Sequence, residues 1–170
     1  MNNPVLLLLL LCLLLPATWL DLRTRIIPNG LCLAGCVAGL TLALFQGWTA
    51  FGGSVLGMVL AFGLALPFWL CRWFGAGDVK LLAAVGALAG IALLPRILVF
   101  TAMSGFVLAL ASILLVGPVR RARARFRPRP AGAAELPAEP EERFRLPYAV
   151  AIAMGSLLAV LLPMASRMPA

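Results

Sequence analysis

The sequence predicts an all-α, polytopic integral membrane protein, a bundle of about six transmembrane helices. Of its 170 residues, 63% are apolar and only 12% are charged, whereas soluble domains average about 45–50% and about 25%. The charged residues are also grouped in a few short stretches between long uncharged runs. This composition excludes a water-soluble globule, and the grouping is typical of helices that cross a bilayer several times.

Each apolar run is compared with the length of about 20 residues, range about 17–25, that spans the hydrocarbon core. The runs that meet or approach this length are Val5–Leu20, Gly30–Phe45, Phe51–Leu70, Val79–Leu94, Ile97–Gly117 and Pro147–Pro163. Several are short, so we expect local bilayer thinning or burial within the bundle. The first run could be a cleaved signal peptide, but without a basic leader or a small-x-small cleavage site we interpret it as a retained helix.

Residues 118–146 are the only long polar stretch, rich in Arg, Pro, Ala and Glu. We predict a mobile cytoplasmic loop within a single membrane-embedded domain that covers residues 1–170. Six Arg residues lie between positions 120 and 129, directly after an apolar run. Such a juxtamembrane basic patch favours anionic lipid headgroups as partners, and we do not expect nucleic acid to bind.

The basic residues predict the orientation in the membrane. With six crossings, three connecting segments share one side and carry twelve of the 14 basic residues, and the opposite side carries only Arg96 and Arg167. Because basic residues concentrate in cytoplasmic loops, these three segments should face the cytoplasm and both termini the outside. The segments are 21–29, 71–78 together with Lys80, and 118–146.

The residue types that are missing narrow the chemistry. The chain has no His, which excludes Ser-His-Asp and Cys-His hydrolases. Its four cysteines form no Cys-x-x-Cys pair, so we expect no metal site and no cofactor. We interpret the cysteines as buried apolar side chains; they are Cys12, Cys32, Cys36 and Cys71.

Two aspartates are the only carboxylates outside the polar loop. Asp21 follows the first apolar run and Asp78 precedes the fourth. Two crossings lie between them, so both should reach the same cytoplasmic edge, where a pair of acids can perform acid–base chemistry. Each has a structural alternative: Asp78 could cap a helix N-terminus, and Asp21 could pair with Arg23 or Arg25.

The neighbours of the aspartates suggest how a substrate could approach. Gly75 and Gly77 precede Asp78, and glycines let an extended peptide come close to the carboxyl group. On the other segment, Pro28 suits the first turn of the second helix. Asn29 caps that helix, forms the turn that leads into it, or contacts substrate, and we favour the cap or turn. Lys80 attracts substrate, tunes Asp78 or snorkels to the interface, and we favour snorkelling.

The two motifs and their spacing resemble those of the type IV prepilin peptidase family, the membrane aspartic proteases that process prepilins. The residues that carry the resemblance are Asp21, Ile27-Pro28-Asn29 and Gly75-Ala76-Gly77-Asp78-Val79-Lys80-Leu81-Leu82. Presenilin-like proteases share the Gly-x-Gly-Asp feature, but they have more helices and usually a Tyr-Asp motif, whereas Leu20 precedes Asp21 here. Because no segment with Cys-x-x-Cys pairs is present, the chain resembles the short, peptidase-only branch of tight-adherence (Flp-type) pili, and we expect no methyltransferase activity.

The resemblance implies that Asp21 and Asp78 are the catalytic pair. It further implies a multi-pass protein of the bacterial inner membrane that cuts the basic leader from single-span prepilins at the cytoplasmic face. One ionised carboxyl would activate water while its protonated partner binds the scissile carbonyl. Two alternatives stay open: an ion-coupled transporter and a non-catalytic scaffold for pilus assembly.

Overall fold

The computed structural model of the chain describes a limited set of residues. They are 4–24, 27–72, 74–112, 114 and 148–162. The predicted polar loop, with its mobility and its lipid-binding Arg residues, lies outside the described residues.

All regular structure in the described ranges is helical, which confirms the predicted all-α membrane bundle. The helices are α1 (Pro4–Thr24), α2 (Asn29–Gln46), α3 (Trp48–Leu70), α4 (Ala76–Ala111) and α5 (Tyr148–Leu161). The first four are long and apolar enough to cross a membrane, and α5 is a shorter apolar helix. Two of the six predicted runs fall in α4, whose backbone is interrupted once.

Helix α4 has 36 residues and is interrupted once, at Gly90, where φ is 67° and ψ is 174°. Unbroken, it would be about 54 Å long, well beyond the hydrocarbon thickness of about 30 Å. The sequence placed the boundary between the two runs at Pro95 and Arg96, but the helix continues through both residues. The break falls at Gly90 because glycine adopts a positive φ without steric cost.

The described residues fall into two compact units. The first comprises residues 1–105 and 147–170, and the second comprises residues 106–146. Every residue of the predicted site belongs to the first unit. The assignment of 1–170 to a single domain stays a prediction.

The first arm of α4, residues 76–89, forms the centre of the first unit. From Asp78 to Leu88 every side chain except that of Lys80 is buried. A helix that is buried on nearly all sides has to be apolar nearly all round, and from Leu81 to Ala89 this one carries no polar side chain. Its position at the centre lets α2 and α3 pack directly against it.

Glycines make these close approaches possible. A Cβ on Gly39 of α2 would lie 2.7 Å from the backbone of Ala87, and a Cβ on Gly57 of α3 would lie 2.6 Å from the carbonyl oxygen of Gly86. Gly39 and Gly57 therefore serve close packing of helices within the chain. Helix α5 packs against α1, and its Gly155 contacts the backbone of Thr101 in α4.

The interpretation of the cysteines as buried side chains is right for Cys32 and wrong for two others. Cys12 and Cys71 are exposed on the surface of the protein, and Cys36 is half-buried. An apolar thiol is as acceptable on a lipid-facing surface as in a core, so composition does not separate the two places.

Candidate active site

The connection that follows α1 lies against the start of α4. Ile27 is buried, and its side chain is so close to Gly77 that a Cβ there would lie 3.0 Å from the Ile27 Cβ. On the polar side, Lys80 Nζ donates a hydrogen bond of 2.8 Å to Asn29 Oδ1. One apolar and one polar contact thus join two segments that are about 50 residues apart in the sequence.

Asp78 lies in the first turn of α4 and is only 8% exposed. Its backbone N–H donates to the Gly75 carbonyl at 3.1 Å, and the Gly75 N–H donates to Asp78 Oδ2 at 3.1 Å. The side chain therefore caps the helix, as the structural alternative predicts. The same hydrogen bond fixes the orientation of the carboxyl group, so capping and a catalytic role are compatible.

Gly75 leaves room for the carboxyl group of Asp78. A Cβ at position 75 would lie 3.1 Å from Asp78 Oδ2, so a larger residue would crowd the carboxyl oxygen. The two glycines of the motif thus serve different contacts: Gly75 accommodates the carboxyl group and Gly77 accommodates Ile27.

Asp21 lies in the last turn of α1 and is half-buried; its Oδ2 atom has less than 1 Å² exposed to solvent. A negative charge there opposes the helix dipole, so capping does not explain it. Of its predicted ion-pair partners, Arg23 lies over the Trp19 ring at 4.5 Å, and Arg25 is outside the described residues. Asp21 precedes Ile27 by six positions. Ile27 in turn packs against Gly77, the residue before Asp78.

Of the two expectations for Asn29, the structure rules out the cap and places the residue in the turn that begins α2. Pro28 occupies the cap position, with φ −62° and ψ 133° and no side-chain cap bond, and Asn29 is the first helical residue. The Pro28 carbonyl accepts the N–H of Leu31 at 3.1 Å. Proline suits this position because its missing N–H would have no partner within the helix. The Asn29 side chain is thereby available to Lys80.

Lys80 is exposed, as snorkelling requires, but its ammonium group also has a specific partner in Asn29. Sequence reasoning missed this hydrogen bond because nothing local relates two residues so far apart in the chain. Snorkelling of Lys80 stays a prediction.

A cluster of three aromatic rings covers the turn before Asp78, and sequence reasoning missed it. The Phe74 ring lies 5.3 Å from that of Phe68 and 4.7 Å from that of Tyr148, measured between centroids. The one weak signal in the sequence was that Tyr148 is the only Tyr in the chain.

A cavity of about 260 Å³ lies elsewhere in the unit, around the break at Gly90. Its walls come from α2, α3 and α4 and include Gln46, Thr49 and Ser54 but no predicted site residue. None of the lining residues is ionisable. The candidate site is therefore separate from this cavity and lies where α1 ends and α4 begins.

Comparison with known proteins gives a consistent result. The model of the type IV leader peptidase family matches residues 8–110, more than half of the chain. That range contains Asp21, Asp78 and the residues in contact between them, but not Tyr148.

Three curated relatives each bear the name prepilin leader peptidase/N-methyltransferase. The protein of Pectobacterium carotovorum subsp. carotovorum is 34% identical over 113 residues, which is 61% of this chain and 39% of the relative. That of Escherichia coli (strain K12) is 33% identical over 114 residues, which is 61% of this chain and 49% of the relative. That of Myxococcus xanthus (strain DK1622) is 31% identical over 117 residues, which is 65% of this chain and 35% of the relative. The chain thus spans less than half the length of these relatives, and no solved structure matches it.

Proposed function

Because this chain belongs to the type IV leader peptidase family, we propose that it is a membrane aspartic endopeptidase that removes the leader peptide from prepilins. The observation that carries this proposal is the pair of contacts that join the segment after Asp21 to the turn that bears Asp78. They are the packing of Ile27 on Gly77 and the hydrogen bond from Lys80 to Asn29.

The proposed mechanism uses the two carboxyl groups together. Two neighbouring carboxyls do not both ionise at neutral pH, because each negative charge raises the cost of the other. The ionised group removes a proton from water, which attacks the scissile carbonyl. The protonated group donates a hydrogen bond to the carbonyl oxygen as negative charge develops, and a proton then passes to the leaving amine. The pair titrates as a unit, so these roles belong to the pair.

The proposed substrate is a single-span prepilin with a basic leader in the cytoplasm and an apolar helix in the bilayer. Both aspartates lie in terminal turns of helices, Asp21 in the last turn of α1 and Asp78 in the first turn of α4. A bond at the membrane edge, between leader and apolar helix, suits that depth. The basic residues support an inner-membrane protein whose site faces the cytoplasm.

Ion-coupled transport is less well supported. Transporter sites lie near the bilayer midplane and are built on interrupted helices. Helix α4 is interrupted at Gly90, but the cavity there has no ionisable lining residue. The carboxyl groups lie at helix ends, which favours a protease that acts at the interface.

The test is co-expression of the full chain with a prepilin. Wild-type protein should yield a shortened product whose new N-terminus is found by mass spectrometry. Asp21→Asn and Asp78→Asn should each lower cleavage by at least about 100-fold without changing the amount of protein in the membrane. The matched control is Thr41→Val, because Thr41 is exposed and its hydroxyl bonds only to Val37 of its own helix.

Two outcomes would contradict the proposal. Uncut prepilin that co-purifies with the wild-type protein would indicate a scaffold. Unchanged cleavage in both Asp variants would show that the pair does not perform the hydrolysis.

A further inference from the structure

The turn before Asp78 is held by aromatic side chains that come from three parts of the chain. Phe68 is near the end of α3, Phe74 is in the connection to α4, and Tyr148 is the first residue of α5. The Phe68 and Phe74 rings are stacked, with an angle of 24° between their planes. Tyr148 packs on Phe74 at an angle of 50°. Phe74 is thus enclosed between an earlier helix and a much later one.

The backbone at Phe74 leads directly to the carboxyl group. The Phe74 N–H donates to the Phe68 carbonyl at 3.2 Å, and the next N–H, that of Gly75, donates to Asp78 Oδ2 at 3.1 Å. Gly75 has no side chain with which to hold its own conformation, and glycine is the most flexible residue. The packing of the Phe74 ring therefore decides where the Gly75 N–H points.

We propose that Tyr148 is a positioning residue, whose ring holds the Phe74–Gly75 peptide and thereby the Asp78 carboxyl group in the orientation needed for hydrolysis. This inference rests on the proposed function. Tyr148 begins α5, which packs against α1, the helix that carries Asp21. One residue thus links the turn of one aspartate to the helix of the other. Tyr148 also lies beyond residues 8–110, which the family model matches.

The ring performs this role through shape and contact area. Offset and tilted aromatic pairs at centroid separations of about 4.5–7 Å attract each other beyond their burial of apolar area, and the Tyr148–Phe74 pair falls in that range. Removing the ring frees Phe74 to turn outward, and the Gly75 N–H then loses its fixed direction. A misplacement of about 1 Å at a reacting group lowers a rate by about 100-fold.

The experiment measures kcat and KM of the full chain in proteoliposomes with a purified prepilin as substrate. Tyr148→Phe keeps the ring and should stay within about twofold of wild type. Tyr148→Ala should lower kcat by about 10- to 100-fold and leave KM within about twofold. Met154→Ala is the matched control, because Met154 lies on the exposed face of the same helix and should change neither constant.

Tyr148→Leu separates the loss of the ring from a folding defect of the Ala variant, because Leu fills apolar volume without a flat ring. This variant should show the same loss of kcat. Phe74→Ala should lower kcat as well, and the Phe74→Ala, Tyr148→Ala double variant should be no slower than the slower single variant, because both act on one contact.

Either of two results would overturn the inference: wild-type kcat in both Tyr148→Ala and Tyr148→Leu, or a loss in Tyr148→Phe as large as that in Tyr148→Ala. The second would assign the effect to the hydroxyl. If Asp78→Asn is inactive while Tyr148→Ala is fully active, this inference fails and the proposed function stands. If the wild-type protein does not cut the prepilin, both fail together.

Discussion

At the scale of single residues, the contact between Asn29 and Lys80 connects the two motifs of the candidate site. Its length of 2.8 Å is that of a good hydrogen bond, and both residues are exposed. Solvent competes for such a bond, so its net contribution is about 1 kcal/mol. That is small for stability but enough to bias the position of the segment after Asp21.

A double-mutant cycle tests this contact. Lys80→Ala and Asn29→Ala should each lower kcat/KM for prepilin cleavage by about fivefold, which corresponds to about 1 kcal/mol. The double variant should lose no more than the larger single effect, because both remove the same bond. Lys80→Arg keeps both the positive charge and a donor and should retain most of the activity, whereas Asn29→Ala removes the bond and leaves the charge of Lys80 in place. Full activity of Asn29→Ala would show that Lys80 acts without this partner.

The aspartates and their flanking residues could be selected from the sequence because each carries its own chemical signal. A carboxyl group beside an apolar run and a pair of glycines before an acid are local features. The partner of Asn29 and the aromatic contact of Tyr148 are not local, since each joins residues from different helices. The sequence could not decide between a cap and a turn at Asn29, because a cap and a tertiary contact use the same side-chain oxygen.

At the scale of helices, α3 and α4 are held together by backbone contact at Gly57. The Gly86 carbonyl oxygen occupies the place where a side chain at position 57 would begin. Backbone atoms do not move aside as a flexible side chain does. The same close approach recurs at Gly39 on α2, so the first arm of α4 is enclosed on two sides by glycine contacts.

Gly57→Ala should therefore destabilise the bundle by about 1–3 kcal/mol, the usual cost of overpacking. Gly63→Ala is the control in the same helix, because nothing lies within 4 Å of a Cβ there; it should be neutral or stabilise by up to about 1 kcal/mol. Melting temperatures of the purified protein in one detergent would check both. Equal melting temperatures for the two variants would argue against the packing described for α3 and α4.

The run lengths predicted the positions of α1 to α3 closely, because a helix in a bilayer has to satisfy its own backbone and needs a minimum apolar length. They did not predict that the break between the fourth and fifth runs falls at Gly90. In a sequence, a proline often marks the end of a helix. In this protein the backbone changes direction at a glycine that lies next to another helix.

At the scale of the whole molecule, much of the outer surface is apolar. Large side chains such as Leu8, Phe45 and Phe106 are more than half exposed, which a protein in water would avoid and a bilayer favours. Exposed Trp19 and Trp69 lie toward the ends of α1 and α3 that approach the candidate site, and exposed Trp48 is the first residue of α3, at its opposite end. Tryptophan at both ends is typical of membrane interfaces.

The orientation predicted from the basic residues can be tested by cysteine labelling. Cys71 is exposed just after α3, on the side that we assign to the cytoplasm. A Trp48→Cys variant would place a thiol on the opposite side, at a position that is 80% exposed. Each site is examined as the single cysteine, with the remaining native cysteines changed to Ala.

A membrane-impermeant maleimide should label Trp48→Cys in spheroplasts and Cys71 only in inverted vesicles. Detergent-solubilised protein, in which both thiols should react, is the control for accessibility. Labelling of Cys71 in spheroplasts would place the candidate site outside the cytoplasm and would reverse the proposed topology.

The amino-acid sequence by itself determined the class of the protein, the approximate helices and the acids and glycines of the candidate site. Hydropathy, length and residue chemistry are properties of short segments, and a bilayer leaves few structures open to an apolar segment. Only the tertiary structure decided where α4 breaks, which atoms Asn29 and Lys80 contact, and that Tyr148 closes over the turn of Asp78. Those features depend on the distances between helices, and such distances follow from the packing of all side chains and backbones together.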